Sequence, residues 1–374
     1  MKLQRHGLVV GLVAGALALS ACGSDNTDSS TAGSGSGTGT GSASGASLDC
    51  ADGTLSWDGS SAQKTAVTQW VQQYQNQCSA ASINYQGQGS GAGRTAFYSG
   101  QIPMAGSDAA IADEDRPKAD ARCKGGKAVN IPMVLTPVEF IYNVQGVKDL
   151  TVTPDILAKV FSGKITSWND PEIAKANPGA TLPSTSITTV HRSKDSGTTQ
   201  NFQKFLTAQS ADLWTYGTGQ AWTAPGGQGA ADSSGLVQSV KSTDGAIGYV
   251  DGPDATKNSL TPAKLDVGAG AVAPSADTVG KAISAAKVGG DNQDITLAIN
   301  YGLTDAGTYP AILATYKITC SQGLPAEQAK FVKSFLTYTA SDAGQAELTK
   351  LGYSQLPSAL ATKVRSAVDA LSAA

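Results

Sequence analysis

"HRSKDSGTTQNFQKFL", residues 191–206, places an arginine, two hydroxyl residues and a glycine directly before an apolar pattern at helical spacing. Ile187 to Val190 upstream read as a strand, and Phe202, Phe205 and Leu206 supply one buried face of the helix that follows. The stretch is therefore a strand that turns into a helix through Arg192, Ser196, Gly197 and Thr198. Alternation of such units is the signature of α/β architecture.

The same plan occurs twice upstream. In "LSWDGSSAQKTAVTQWVQQY" (55–74) a strand turns through Asp58-Gly59-Ser60-Ser61 into a serine-capped helix with Val67, Trp70, Val71 and Tyr74 at i, i+3, i+4 and i+7. In "SINYQGQGSGAGRTAFYSG" (82–100) Ile83 to Tyr85 are the strand, and Ser90 lies in the glycine-rich turn. Each switch from strand to helix carries serine. A helix's first turn leaves N–H groups unpaired and bears partial positive charge, so several such turns aimed at one cleft can surround an oxyanion with neutral donors. Each serine taken alone is more often a plain N-cap. Arg192, four residues before Ser196, offers charge-assisted bonds that a cap does not need, the alternative being a surface salt bridge. "IPMAGSDAAI" (102–111) ends a short apolar segment in Ser107-Asp108, either a helix N-cap or a ligand contact at the strand end where open α/β sheets place ligands.

The N-terminus follows targeting rules. Lys2 and Arg5 precede an apolar run from Leu8 to Leu19 that ends in Leu-Ser-Ala-Cys, which marks residues 1–21 as a secretion signal. The run falls short of the ~20 apolar residues that span a bilayer. Its ending resembles the bacterial lipobox, which implies cleavage before Cys22 and diacylation of that cysteine; the alternative is an ordinary signal peptide. Two acyl chains anchor stably where one is marginal. Residues 22–47 are then the lipidated cysteine and a Gly/Ser-rich tether with no large apolar side chain. Its root-mean-square reach is about 25 to 30 Å.

The body from Leu48 to Ala374 is long enough for two lobes. Loss of Lys2 and Arg5 takes the formal charge from -3 to -5, and no basic run or basic-aromatic stripe points to nucleic acid. Four cysteines remain, an even number that in a secreted chain favours disulfides with three possible connectivities. Cys50 and Cys78 bracket one strand-helix unit and are paired here, which leaves Cys123 with Cys320. The chain-entropy account assigns the shorter loop roughly 3 to 4 kcal/mol. His6 departs with the signal, so His191 is the one histidine of the mature chain. It reads as structural beside Arg192. A histidine-rich zinc site is excluded, the cysteines are too scattered for Cys-x-x-Cys ligation, and no metal or cofactor is expected.

The segments "INYQGQGSGAG", "GSDAAI", "FSGKITSWNDPEIAKANPG", "HRSKDSGTTQNF" and "GAIGYV" occur in an order that resembles the phosphate-binding lipoproteins of the bacterial ABC-type phosphate importer, over nearly all of residues 51–365. The resemblance implies a two-lobed periplasmic-binding-protein fold whose lobes close on phosphate. It implies ligand contacts from Ser61 and the backbone of Ala62, from Ser90, from Asp108, and from Arg192, Ser196, Gly197 and Thr198. In this family a threonine and an aromatic usually stand where this chain has Ser61-Ala62. An aspartate often follows the arginine by two residues, where this chain has Lys194, with Asp195 next. "NIPMVLTPVEFIYNV" (130–144) and "YPAILATYKI" (309–318) are similar to the family's two crossing segments. One lobe would then be residues 48–133 with 310–374, and the other 134–309. The resemblance further implies a lipid-anchored monomer on the outer face of the bacterial cell membrane that serves permease subunits of an ABC importer. Two rivals stand beside this expectation: a carrier of sulfate, molybdate or an organic phosphate, and a phosphatase, although no Gly-x-Ser-x-Gly elbow or catalytic histidine base is in evidence.

Overall fold

A computed structural model describes residues 48–374. The signal segment 1–21, Cys22 and the tether to residue 47 lie outside the described residues. Eight strands, β1 (Gly53–Gly59), β2 (Ala81–Tyr85), β3 (Met104–Ser107), β4 (Ala128–Asn143), β5 (Thr188–Arg192), β6 (Gln228–Ala230), β7 (Ala246–Asp251) and β8 (Ile312–Cys320), form one sheet ordered β2-β1-β3-β8-β4-β7-β5-β6. β1 runs parallel to β2 and β3, and β5 runs parallel to β6 and β7. Between these two parallel sets lie β8 and β4, antiparallel to their neighbours.

β4 joins the two halves. Ala128 to Pro137 pair with β8, whereas Val138 to Asn143 pair with β7. Its apolar sequence has no polar face because fifteen of its sixteen residues are buried. The register decides where ligand chemistry can sit: Ser107 at the end of β3 is level with Pro132 through Tyr316, and Asp251 at the end of β7 pairs with Val138. The carboxyl ends of both parallel sets therefore face one another across the middle of β4. The two halves are the lobes of a two-lobed periplasmic-binding fold.

Helix α1 (Lys64–Gln77) buries Val67, Trp70 and Tyr74 as its spacing predicts, while Val71 remains partly exposed at the edge of the stripe. Trp70 donates its indole N–H to the Gly344 carbonyl at 2.7 Å, so the ring is buried without stranding its donor. Helix α2 (Ser90–Tyr98) follows the glycine-rich turn, and α3 (Gly197–Gln209) seats Phe202, Phe205 and Leu206 with no exposed surface. Burial of each contributes roughly 1.5–3 kcal/mol. Helix α4 (Ser233–Ser242) covers the second half of the sheet, where Leu236, Val237 and Val240 meet Val190, Ile141 and Val250.

Both disulfides expected from the sequence are present, Cys50–Cys78 and Cys123–Cys320, with Cα atoms 5.4 and 5.3 Å apart. The second fastens the end of β8 to the segment preceding β4. His191 stacks on Trp222 with ring centroids 4.9 Å apart, a packing role consistent with its reading as structural.

Candidate functional site

Four chain turns meet where the strand ends converge, and each has a local cause. Gly59 ends β1 with φ +152°, and a Cβ there would lie 2.1 Å from the Gly106 carbonyl oxygen of β3. The close approach of β1 and β3 thus requires glycine. The chain then makes a 3-10 turn, Ser61–Gln63, before α1. The cap of this turn is Ser60, whose hydroxyl accepts from the Ala62 N–H at 3.1 Å, and Ser61 is left free to face the opposite half. Ser196 caps α3 by accepting from the Thr199 N–H at 3.3 Å. Gly197 follows because its α-carbon packs on Asp108: a Cβ would stand 2.5 Å from the Asp108 Cβ and 2.6 Å from the Ser90 hydroxyl.

All eight residues singled out from the sequence are buried here: Ser61, Ala62, Ser90, Asp108, Arg192, Ser196, Gly197 and Thr198. They form two linked clusters. Asp108 caps no helix. Its Oδ2 accepts from Ser60 at 2.7 Å and from Ser90 and Thr198 at 3.4 Å, and its Oδ1 accepts from Thr315 at 2.7 Å. Thr198 belongs to the second half of the sheet, so this carboxylate already receives donors from both halves. Asn201 adds a bond from its side-chain amide to the Asp108 carbonyl at 2.8 Å.

Arg192 anchors the other cluster. Nη1 donates to Ser61 at 2.9 Å and to Ser196 at 3.1 Å, and Nη2 donates to the Ala231 carbonyl at 3.0 Å. Its buried Nε has no partner among the described residues. Lys194 and Asp195 are exposed, and no carboxylate among the described residues bonds the guanidinium. Hydroxyls and one carbonyl orient it instead. Ser61 and Ser233 share a hydrogen bond of 2.8 Å across the halves, and Thr65 donates to Asp254 at 3.1 Å beside them.

The electrostatics follow from burial. Desolvation pushes the Asp108 carboxyl above its usual range, while bonds donated by Ser60 and Thr315, the Arg192 charge and the Ser90 bond pull it back. Burial likewise lowers the affinity of Arg192 for its proton, opposed by nearby Tyr249, Asp108, Asp232 and Asp251. The arrangement offers N–H and O–H donors nearly throughout, with the Asp108 carboxylate as the acceptor on which Ser60, Ser90, Thr198 and Thr315 converge. It is suited to a small oxyanion that carries a hydrogen of its own.

Sequence reasoning missed Ser60, Thr315 and Ser233. Ser60 stood in the quoted turn but looked like a spare neighbour of Ser61. Thr315 lies in an apolar strand, where the only signal is the alternation Thr315, Lys317, Thr319. Ser233 follows Asp232, which caps α4 through Gly235 at 2.8 Å, the same strand-turn-helix signature as the other turns.

Sheet order and the strand-end turns that meet between its two halves together define a substrate-binding protein of the periplasmic type. The chain belongs to the PBP superfamily, whose domain matches residues 18–343, and within it to the family of the PstS phosphate-binding proteins. It is 37% identical to phosphate-binding protein PstS 3 of Mycobacterium leprae over 99% of this chain and all of the relative. Identity to PstS 3 of Mycobacterium tuberculosis is 39%, again over 99% and 100%. With phosphate-binding protein PstS of Xylella fastidiosa it is 30%, over 97% and 98%. Among solved structures, a high-affinity periplasmic phosphate-binding protein bound with phosphate superposes with TM-score 0.68 at 23% identity, over 84% of this chain and 93% of that one. At these identities the structural likeness bears on the fold.

Proposed function

We propose that this chain captures inorganic phosphate outside the cytoplasm and delivers it to the permease subunits of an ABC-type importer. It acts as a binding protein and not as an enzyme. In this reading Arg192, the hydroxyls of Ser61, Ser90, Ser196 and Thr198, and the N–H groups near Ala62 and Gly197 donate to phosphate oxygens. Ionised Asp108 accepts from the phosphate's own hydroxyl.

The observation that carries the reading is Asp108, a buried carboxylate surrounded by donors from both halves of the sheet. Phosphate near neutral pH retains a proton to give it; sulfate has none. Sulfate would set a second anion with no hydrogen to offer against this carboxylate, and a site built to bond a ligand hydroxyl rejects an analogue lacking it by roughly 10⁴ to 10⁵. The PstS relatives, which are phosphate-binding proteins, support the assignment.

The lobes in this proposal are residues 48–133 with 310–374, and 134–309, hinged where β4 and the return into β8 cross. Closure carries Thr198 and Arg192 onto Asp108 and Ser61, and the closed form is what a permease senses. Acylated Cys22 and the tether hold a monomer at the outer face of the membrane. Titration of the purified body with phosphate, arsenate and sulfate, followed by tryptophan emission, tests the assignment. Phosphate and arsenate saturate the change and sulfate does not; saturation by sulfate at the same concentrations contradicts it.

A further inference from the structure

A cavity of about 610 Å³ opens beside the buried cluster, and Asp108 forms part of its wall. Arg94 reaches it from α2 and Lys204 from α3, so opposite halves of the sheet each contribute one cation. Their positions on the helices are ordered with respect to the inner site. Ser90, whose hydroxyl reaches Asp108, is one helical turn from Arg94 on the same face. On α3 the stripe Gly197, Asn201, Lys204, Ala208 follows i, i+4, i+7, i+11; Gly197 abuts Asp108 and Asn201 bonds its carbonyl. Lys204 is then about 10 Å farther along the axis than Gly197.

Neither cation is neutralised. Among the described residues Arg94 and Lys204 enter no ion pair, and the buried Arg94 Nε has no hydrogen-bond partner. Burial lowers the Lys204 pKa, and repulsion from Arg94 adds to the shift, so the two positive groups sense one another across the cleft. Asp113 on the rim is exposed. Asp108 on the inner wall is already engaged by four hydroxyls, so neither Arg94 nor Lys204 has a carboxylate bonded to it and both remain open to an incoming anion. The chain as a whole has a net charge of -3, so its overall field does not draw phosphate in.

We propose that this cavity is an outer anion position, where Arg94 and Lys204 hold an arriving phosphate before it passes inward to Asp108 and Arg192. The proposal rests on the phosphate-capture reading. Two cations without ion-pair partners at the mouth of the cavity attract an arriving anion ahead of Asp108 and raise the association rate, while contributing nothing to the contacts that retain ligand in the inner site.

Stopped-flow tryptophan fluorescence with inorganic phosphate on the full chain tests it, using Arg94→Gln, Lys204→Gln and the double variant at several salt concentrations. Each single variant is expected to lower the association rate about threefold or more, with the double variant lower still and its salt dependence flattened. The dissociation rate stays at the wild-type value. Association rates and salt slopes equal to wild type in the double variant overturn the proposal. So does a change confined to the dissociation rate, which would make these cations part of the inner site. If the wild-type chain shows no saturable phosphate signal, the phosphate reading itself fails, an outcome separate from either.

Discussion

Thr315 donates its hydroxyl to Oδ1 of Asp108 at 2.7 Å across 207 positions of sequence. Both groups are buried, and the bond ties the central strand β8 to the carboxylate at the end of neighbouring β3. Oδ1 is thereby occupied, and Oδ2 is the oxygen on which Ser60, Ser90 and Thr198 converge.

Replacement of Thr315 by valine keeps the side-chain shape and removes the donor. Because that bond holds the Asp108 carboxyl down against its desolvation, its loss raises the pKa further. Ionised Asp108 then requires a higher pH, and the acid limb of phosphate affinity moves upward. Calorimetry at a series of pH values should show phosphate about tenfold weaker at neutral pH, with the difference widening toward acid. A Thr315→Val profile that overlays wild type would remove Thr315 from this role.

Arg192→Ala takes away a guanidinium that holds Ser61 and Ser196 together. Phosphate should bind at least roughly tenfold more weakly, since charge-assisted bonds contribute about 1.5–3 kcal/mol each. A dissociation constant near that of wild type would place the anion elsewhere.

Gly197→Ala tests the close approach of α3 to Asp108. The added methyl meets the Asp108 Cβ at 2.5 Å and the Ser90 hydroxyl at 2.6 Å, so the helix start must retreat. Overpacking of this kind costs about 1–3 kcal/mol, to be read by urea unfolding, and phosphate affinity falls with it. Unaltered stability and affinity would show that the two elements are not in contact.

Glu139 in β4 lies beside the crossing, and burial alone raises its pKa from 4.5 to about 8. The folded protein therefore holds this proton more tightly than the unfolded chain. Its contribution to stability is complete below the unfolded value and is lost as pH rises through about 8. Glu139→Gln should leave stability unchanged near pH 5 and raise it by on the order of 1 to 3 kcal/mol at pH 9. Equal stability of the two proteins at both pH values would mean that Glu139 is hydrated.

Much of this arrangement was legible in the chain because its signals are local. The helix faces of Val67, Trp70 and Tyr74 and of Phe202, Phe205 and Leu206 follow from periodicity, and the α/β order follows from strand-turn-helix units. The cysteines that bracket a single unit, Cys50 and Cys78, also point to each other. The convergence on Asp108 could not be read in the same way, since Ser60, Ser90, Thr198 and Thr315 meet only when β1, β2, β3, β5 and β8 are assembled. Thr315 is the clearest case: one hydroxyl in a buried strand has no local pattern to announce it. Lys317 behaves alike, bonded to the Gln63 amide oxygen with its ammonium 4.7 Å from the Trp57 ring centroid, a cage built from two distant segments.

The central claim is that Asp108 selects a ligand with a hydrogen to donate. Calorimetric titration of wild type and Asp108→Asn with phosphate and with sulfate tests it most directly. The asparagine side chain can offer an N–H where the carboxylate could only accept. The account predicts that sulfate gains on phosphate in the variant, with discrimination narrowed by more than phosphate affinity is lost. A variant that rejects sulfate as strongly as wild type would contradict it.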